Sequence, residues 1–294
     1  MNLSPFADDD PARRTTDSAG GQIGSAAPDA TATAAAASAA LLWRCWREGR
    51  QLDALPDPGR PRTRHAAYAI QALVEGHSDR PIAGWKIAAT SAAGQAHIGV
   101  AGPIAGRLLA ERCHPDGARL SLRGNSMHLV EPEFAFRLGR DLPPRTRQEA
   151  PWSVAEVMAA VASLHPALEV PSSRYRQVAR AGEAQIIADN ACAHDFVLGP
   201  AAPPGWRDLD LAEHQVQATV GHRYQREGLG AHVHGGPALA LAWLASELSG
   251  IGVALRAGQI VTTGTCMTPL QAQAGETISA DFGRLGQVSL SFLA

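Results

Sequence analysis

Residues 129–136 read Leu-Val-Glu-Pro-Glu-Phe-Ala-Phe and combine a strand pattern with two acidic side chains. Alternate side chains of a β-strand point to opposite faces of the sheet. Glu131 and Glu133 therefore share one face, while Val130 and Phe134 lie on the other face and can join a hydrophobic core. The stretch predicts a half-buried strand that presents two neighbouring carboxylates, which either bind a cation or face water.

A second apolar stretch, residues 165–170, carries the single glutamate Glu169. Carboxylate oxygens without cysteine or paired histidine ligands suit a hard divalent ion such as Mg²⁺ or Mn²⁺. Acidic pairs on solvated strands are also common, so the pattern alone leaves both interpretations open. His232 and His234, which alternate in a glycine-rich segment, are the rival metal ligands, but no third ligand accompanies them at a suitable spacing.

Lys86 is the only lysine in a chain of 294 residues that has 26 basic side chains. It lies in the apolar stretch 82–89, Ile-Ala-Gly-Trp-Lys-Ile-Ala-Ala. A buried lysine can transfer a proton or form a Schiff base, whereas arginine stays charged. We therefore predict that Lys86 is catalytic, and an ordinary surface lysine is the alternative.

Thr263 and Thr265 flank Gly264 at the end of a short apolar run. The glycine allows a ligand to approach the backbone closely, and the two hydroxyl groups can hydrogen-bond a carboxylate. The segment predicts either substrate binding by these two threonines or a plain turn.

Composition limits the class of function. The chain is 45% hydrophobic and 18% charged with a formal net charge of -2, so it lacks the charge asymmetry of nucleic-acid and membrane-surface proteins. Residues 235–255 have helical periodicity and several polar side chains, so no transmembrane helix is expected. Because the chain begins without a signal-peptide pattern and its cysteines form no C-x-x-C pair, we expect a cytoplasmic protein without a zinc site or a disulfide scaffold.

Three segments are expected along the chain. Residues 1–32 are rich in small and polar side chains without periodicity and predict a disordered tail. Residues 33–80 contain two helical patterns, over 33–50 and 62–75, and predict a small helical N-terminal cap. Residues 81–294 predict a β-rich catalytic domain of short strands separated by Gly and Pro turns.

Local signals in this last segment indicate an α+β fold. Alternation predicts strands over 216–220, 278–282 and 288–292, and the last two are joined as a hairpin. A capping box at Ser153 predicts a helix over 153–164. A second helix over 237–249 begins with proline and stops at Gly250. Regular βαβ alternation is missing, which argues against a nucleotide-binding sheet.

In this order the segments resemble the hydratase/decarboxylase branch of the fumarylacetoacetate hydrolase superfamily, the 2-keto-4-pentenoate hydratase-like proteins. The resemblance covers residues 40–294 and rests on Gly84-Trp85-Lys86-Ile87, Val130-Glu131-Pro132-Glu133, Pro166-Ala167-Leu168-Glu169, Ala188-Asp189-Asn190, Trp243-Leu244-Ala245 and Ala280-Asp281-Phe282-Gly283. It implies a mixed β-rich roll or sandwich that assembles into a homo-oligomer. It also implies Mg²⁺ or Mn²⁺ held by Glu131, Glu133 and Glu169, with catalysis by Lys86. Asp189, in the matching Ala-Asp-Asn motif, is expected to bind substrate together with the two threonines.

The resemblance further implies a divalent-metal-dependent lyase that acts on a 2-oxo or 2-hydroxydienoic acid, with hydration of a 2-hydroxy-2,4-dienoate as the expected reaction. Hydratases of this branch carry a catalytic aspartate where this chain has Ile104. Decarboxylation or tautomerisation of a diacid such as 4-oxalocrotonate is therefore the alternative. Two other hypotheses are a Schiff-base enzyme at Lys86 and a non-catalytic relative that serves as an oligomeric interaction module. We expect no nucleic-acid or membrane partner.

Overall fold

The fold is described from a computed structural model, which covers residues 30–294. The predicted tail over 1–32 lies outside the described residues except for residues 30–32, which begin the first helix. The helices are α1 (Ala30–Glu48), α2 (Arg64–Glu75), α3 (Ala92–Ile98), α4 (Val154–Ala159), α5 (Val178–Ala181), α6 (Glu183–Ala188) and α7 (Pro237–Gly250). The strands are β1 (Ile82–Ala88), β2 (Ile104–Leu109), β3 (Cys113–Pro115), β4 (Ala118–Leu120), β5 (Leu129–Leu138), β6 (Val161–Val170), β7 (Asp195–Leu198), β8 (Gln215–Val220), β9 (Tyr224–Leu229), β10 (Ile260–Thr265), β11 (Leu270–Gln271), β12 (Thr277–Asp281) and β13 (Gln287–Phe292).

Two mixed sheets form the body of the described chain. The larger sheet follows the order β2-β1-β10-β5-β6-β7-β3, and β11 pairs with β5 outside this path. The smaller sheet follows the order β4-β13-β12-β8-β9. β1 and β10 are parallel, whereas β5 runs antiparallel to both β10 and β6. This arrangement confirms the predicted α+β fold with a β-rich body.

Strand β5 lies inside the larger sheet and carries the sequence pattern that predicted it. Phe134 and Phe136 are fully buried, and the ring of Phe134 packs edge-to-face on Phe282 with 5.1 Å between centroids. Burying such a side chain contributes roughly 1.5–3 kcal/mol. The apolar face of β5 is thereby fixed toward the core, which also fixes where the glutamates of the strand can lie.

Helices α1 and α2 precede the sheets, as predicted, and are joined closely to them. The Tyr68 hydroxyl accepts a hydrogen bond from the Ala105 N–H at 3.1 Å and donates one to Glu247 at 2.9 Å. Gln71 donates to the carbonyls of Ala105 and Ile187. The buried apolar side chains of both helices belong to the same core as those of the sheets. The division of the chain at residue 80 stays a prediction.

Local predictions elsewhere have mixed outcomes. The hairpin of β12 and β13 and the helix α7 are confirmed, and so is the capping box of Ser153 and Glu156. The predicted extent of that helix, 153–164, is wrong. α4 ends at Ala159 because the chain from Val161 onward pairs with β5 as strand β6, and tertiary pairing outweighs local helix propensity. No helix within residues 30–294 is both long enough and apolar enough to span a membrane.

Candidate functional site

Three glutamates converge where β5 and β6 lie side by side. Glu131 stands directly opposite Glu169 in the antiparallel pair, and Glu133 lies two residues further along β5 on the same face. One carboxylate oxygen from each residue lies within 4.8 Å of the others. Glu133 and Glu169 are fully buried, whereas Glu131 is half-buried. Between residues 30 and 294, no other set of three His, Cys, Asp or Glu side chains is near enough to share one ion.

Several oxygens of these carboxylates have no hydrogen-bond donor. Glu133 Oε2 accepts from the Thr262 hydroxyl at 2.5 Å and from the Gly264 N–H at 2.8 Å. Glu133 Oε1 and both oxygens of Glu169 are buried and accept no hydrogen bond, although Glu169 Oε2 has the charge of Lys86 at 3.3 Å. Leaving buried carboxylate oxygens without partners is costly. A hard divalent cation such as Mg²⁺ or Mn²⁺ satisfies such oxygens, so the residues present fit this kind of ion.

Lys86 lies beside the carboxylates on β1, and its side chain is 2% exposed. Its Nζ is 3.3 Å from Glu169 Oε2, an ion-pair contact, and donates a hydrogen bond to the Ala191 carbonyl at 3.0 Å. Burial alone would lower the pKa of Lys86, but the nearby glutamates, Glu169 first among them, raise it above its ordinary value. The raised pKa favours the ammonium form of Lys86 in the metal-free protein, which does not favour a Schiff-base nucleophile because that role needs the neutral amine.

Burial is the main cause that raises the pKa of all three glutamate carboxyl groups. For Glu133, burial and the charge of Glu131 raise the pKa to about 8, although Lys86 and the two hydrogen bonds oppose the rise. Metal ligands must be deprotonated, so binding of a cation here releases protons and gains affinity as pH rises.

We predict that the metal-free protein loses stability between pH 7 and pH 9. The folded-state pKa of Glu133 lies above the ordinary value of 4.5, so the stability due to its proton is fully present below pH 4.5 and is lost as pH rises through about 8. The loss from pH 7 to pH 9 amounts to about 1 kcal/mol. Thermal unfolding in a chelator measures it. The loss in Glu133→Gln should be smaller than in the wild type, because Glu131 and Glu169, whose pKa values are also raised, remain, and an equal loss in that variant would contradict the assignment.

The other predicted site residues have partners within the protein. The Thr263 hydroxyl donates to the Phe134 carbonyl, and the Thr265 hydroxyl donates to the Met267 carbonyl. Asp189 is fully buried, accepts a hydrogen bond from Ser173 and pairs with Arg174. The structure thus gives all three side chains internal partners, and their contact with a substrate stays a prediction. Among the described residues, neither His232 nor His234 belongs to a group of three ligating side chains that are close enough to hold one metal ion.

Sequence reasoning missed Thr262 and the Ala191 carbonyl. Thr262 stands between β1 and β5, paired with Lys86 on one side and with Ala135 on the other, and its hydroxyl reaches Glu133. Alternation along the threonine run was the signal that could have identified it, since neighbouring residues of a strand face opposite sides. A backbone carbonyl leaves no such signal in a sequence.

Ile104, at the position where the resemblance implies an aspartate in hydratases, opens β2 opposite Ala88 and is fully buried in the hydrophobic core. No proton-transferring side chain occupies that place. Among the residues described above, Lys86 is consequently the side chain best suited to move a proton beside the carboxylates.

The chain is similar in sequence to known proteins. The sequence model of the family Fumarylacetoacetate (FAA) hydrolase C-terminal matches residues 108–292. The 2-keto-4-pentenoate hydratase of Burkholderia vietnamiensis is 33% identical over 262 residues, which are 87% of this chain and 97% of that protein. The 2-hydroxyhexa-2,4-dienoate hydratase of Comamonas testosteroni is 32% identical over 264 residues, which are 85% of this chain and 94% of the relative.

A solved structure is similar over nearly the whole described chain. The 4-oxalocrotonate decarboxylase from Pseudomonas putida G7, complexed with magnesium and adipate, superimposes with a TM-score of 0.80 at 25% identity and covers 90% of this chain and 99% of its own. The family match spans more than half of the sequence, and the sequence relatives are matched over nearly their full length. The chain therefore belongs to the fumarylacetoacetate hydrolase family, in the branch of the 2-keto-4-pentenoate hydratases.

Proposed function

We propose that the protein is a divalent-metal-dependent hydro-lyase that adds water to a 2-hydroxy-2,4-dienoic acid. The observation that carries the proposal is the group of three carboxylates, with buried oxygens that lack donors, beside the single lysine of the chain. The hydratase relatives named above supply the substrate class. Glu131, Glu133 and Glu169 would hold Mg²⁺ or Mn²⁺, and the ion would act as a Lewis acid toward the carboxylate and C2 oxygen of the substrate.

The reaction needs proton transfers that the chain can supply. The dienol loses its C2 hydroxyl proton and gains a proton at C5, which gives a 2-oxo-3-enoic acid, and water then adds across C3 and C4 to give the 4-hydroxy-2-oxo acid. Lys86 is charged and buried, so it can donate a proton to the reacting carbon and take one back from the substrate hydroxyl. A positioned acid-base group of this kind contributes about 10²-fold or more to the rate.

Decarboxylation of a 2-oxo diacid is the second candidate, because Ile104 stands at the place of the hydratase aspartate and the P. putida decarboxylase has the same fold. A diacid substrate has a second carboxylate, which needs a positively charged side chain to pair with in a buried site. The two buried arginines of residues 30–294 already have partners: Arg107 pairs with Glu75, and Arg174 pairs with Asp189. This charge arrangement favours a substrate with one carboxylate over a diacid.

We predict that the enzyme turns over 2-hydroxypenta-2,4-dienoate faster than 4-oxalocrotonate when both are assayed with Mg²⁺. The expected preference in kcat/KM is at least about tenfold, since an unpaired carboxylate in a buried site costs more than 1.4 kcal/mol. Loss of the dienoate absorbance and release of CO₂ distinguish the two reactions. Faster CO₂ release from the diacid would replace the hydratase proposal by the decarboxylase, and no turnover of either compound would contradict both.

We further propose that the protein works in the cytoplasm as a homo-oligomer, in keeping with the expectation from its sequence. Light scattering coupled to size-exclusion chromatography tests the assembly, and a mass of one chain, 30.8 kDa, would contradict it.

A further inference from the structure

The Ala-Asp-Asn motif leads into a left-handed turn that holds Lys86. Asn190, Ala191 and Cys192 have φ angles of 55°, 50° and 61°. Residues other than glycine rarely adopt positive φ, and three in succession persist only when the surrounding structure enforces them. The middle residue of the turn offers its carbonyl to the Lys86 ammonium at 3.0 Å. The strained backbone is thus in direct contact with the one amine of the site.

The Asn190 side chain holds the turn against strand β2. Its Oδ1 accepts from the Arg107 N–H at 2.6 Å, and its Nδ2 donates to the Arg107 carbonyl at 2.8 Å. The amide thereby bonds both backbone groups of one residue, as a neighbouring strand would. Contact between turn and strand is so close that a Cβ on Gly106 would overlap the Asn190 carbonyl.

A buried ion pair holds the same turn from the other side. The Arg174 guanidinium pairs with the Asp189 carboxylate and also donates to the Asp189 carbonyl. A further N–H of the guanidinium donates to the Ala193 carbonyl at 3.0 Å. Arg174 therefore bonds the residues immediately before and after the turn, and leaves the Ala191 carbonyl free to accept from Lys86.

We propose that Asn190 is a positioning residue, whose double hydrogen bond to Arg107 keeps the left-handed turn in place so that the Ala191 carbonyl orients the Lys86 ammonium toward the reacting carbon. An ammonium has three donors. One is used by Ala191 and a second faces Glu169, so the direction of the third is fixed. This inference rests on the proposed function for its catalytic part, whereas the fixed ammonium can be tested without any substrate.

The single lysine makes a direct test possible, because protein labelled with ¹⁵N-lysine has one Nζ group. We expect a slowly exchanging Nζ resonance in the wild type, since the ammonium is buried and hydrogen-bonded. Asn190→Gly should lose or markedly shift this resonance. Glycine accepts positive φ freely. A lost resonance in Asn190→Gly would therefore come from the missing side-chain amide and not from backbone strain. Asn190→Ala serves as the second variant if Asn190→Gly folds poorly.

A control variant should keep the resonance unchanged. Gln185→Ala removes a buried amide that likewise bonds two backbone groups, the Leu55 N–H and the Ala181 carbonyl, neither of which belongs to the turn. We also expect kcat of Asn190→Gly to fall by about 10²-fold, as misplaced groups do, with KM within about twofold of the wild type.

The outcomes separate the two proposals. The wild type could be inactive and still show a protected Nζ resonance that is lost in Asn190→Gly. That result would refute the proposed reaction and support the positioning role of the turn. An unchanged Nζ resonance in Asn190→Gly, or no protected resonance in the wild type, would overturn the positioning role. A resonance that is lost in Asn190→Gly while kcat stays unchanged would show that the positioning of Lys86 by the turn is not important for catalysis.

Discussion

Lys86→Arg is expected to lower kcat by about 10²- to 10⁴-fold, the range contributed by a positioned acid-base group. The guanidinium keeps its proton at any pH at which the protein is folded, so it can replace the charge of Lys86 but not the proton transfer. The larger planar group must also fit a space that is filled in the wild type, where the lysine side chain is 2% exposed. Steady-state kinetics at saturating Mg²⁺ measures the effect.

Binding of Mn²⁺, measured by calorimetry, should survive in Lys86→Arg, because the lysine is not a ligand and the positive charge remains. Lys86→Met provides a comparison that lacks the charge but keeps an unbranched side chain. Turnover of Lys86→Arg at the wild-type rate would refute proton transfer by this residue. Trapping of a covalent adduct by borohydride would instead support the Schiff-base hypothesis.

Glu169→Gln is expected to abolish measurable Mg²⁺ and Mn²⁺ binding and to reduce turnover by more than about 10²-fold. Loss of an outer-shell partner of a metal ligand already costs 10- to 100-fold, and Glu169 would be a direct ligand. Both of its oxygens are buried without a hydrogen bond, and Oε2 lies 3.3 Å from Lys86 Nζ. An uncharged amide therefore removes the attraction for a cation together with the ion pair to Lys86. Calorimetry with Mn²⁺ and the hydration assay test the two parts separately.

A stability measurement adds an independent check on the same variant. Wild-type protein should melt at a higher temperature as Mg²⁺ is added, since a ligand that binds only the folded state stabilises it, whereas Glu169→Gln should not respond. The exposed Glu227 on β9 supplies the matched control, and Glu227→Gln should behave as the wild type does. Full activity of Glu169→Gln in the presence of a chelator would refute the metal centre.

The carboxylate trio and the lysine could be identified from the sequence because each has a local signal. Alternation along 129–136 places Glu131 and Glu133 on one face, and Lys86 is conspicuous as the only lysine. Their convergence was less predictable, since β10 inserts between β1 and β5 although about 120 residues or more separate it from both in the chain. Only the pairing of these strands places Lys86 beside Thr262 and Glu131 opposite Glu169.

Other features depend on contacts that local patterns do not encode. The end of α4 is set by the pairing of β6 with β5, which competes with a helix-compatible sequence. Asp189 carries a motif signal for the site, yet its oxygens are directed at Arg174 and Ser173. The Ala191 carbonyl depends on three positive φ angles that no residue type in the turn demands. Residues that act through the backbone are therefore the part of the site that sequence reasoning recovers least.

The pairing of Glu131 with Glu169 has a consequence for protein engineering. The two strands are held in register by a ladder of eight residue pairs, so the alignment of the acidic side chains does not depend on the length of the chain that joins the strands. In that connection residues 146–151 are exposed to solvent. A peptide or a small domain grafted there would leave the spacing of the carboxylates unchanged, whereas deletion of a single residue within either strand would turn one of the acids to the opposite face.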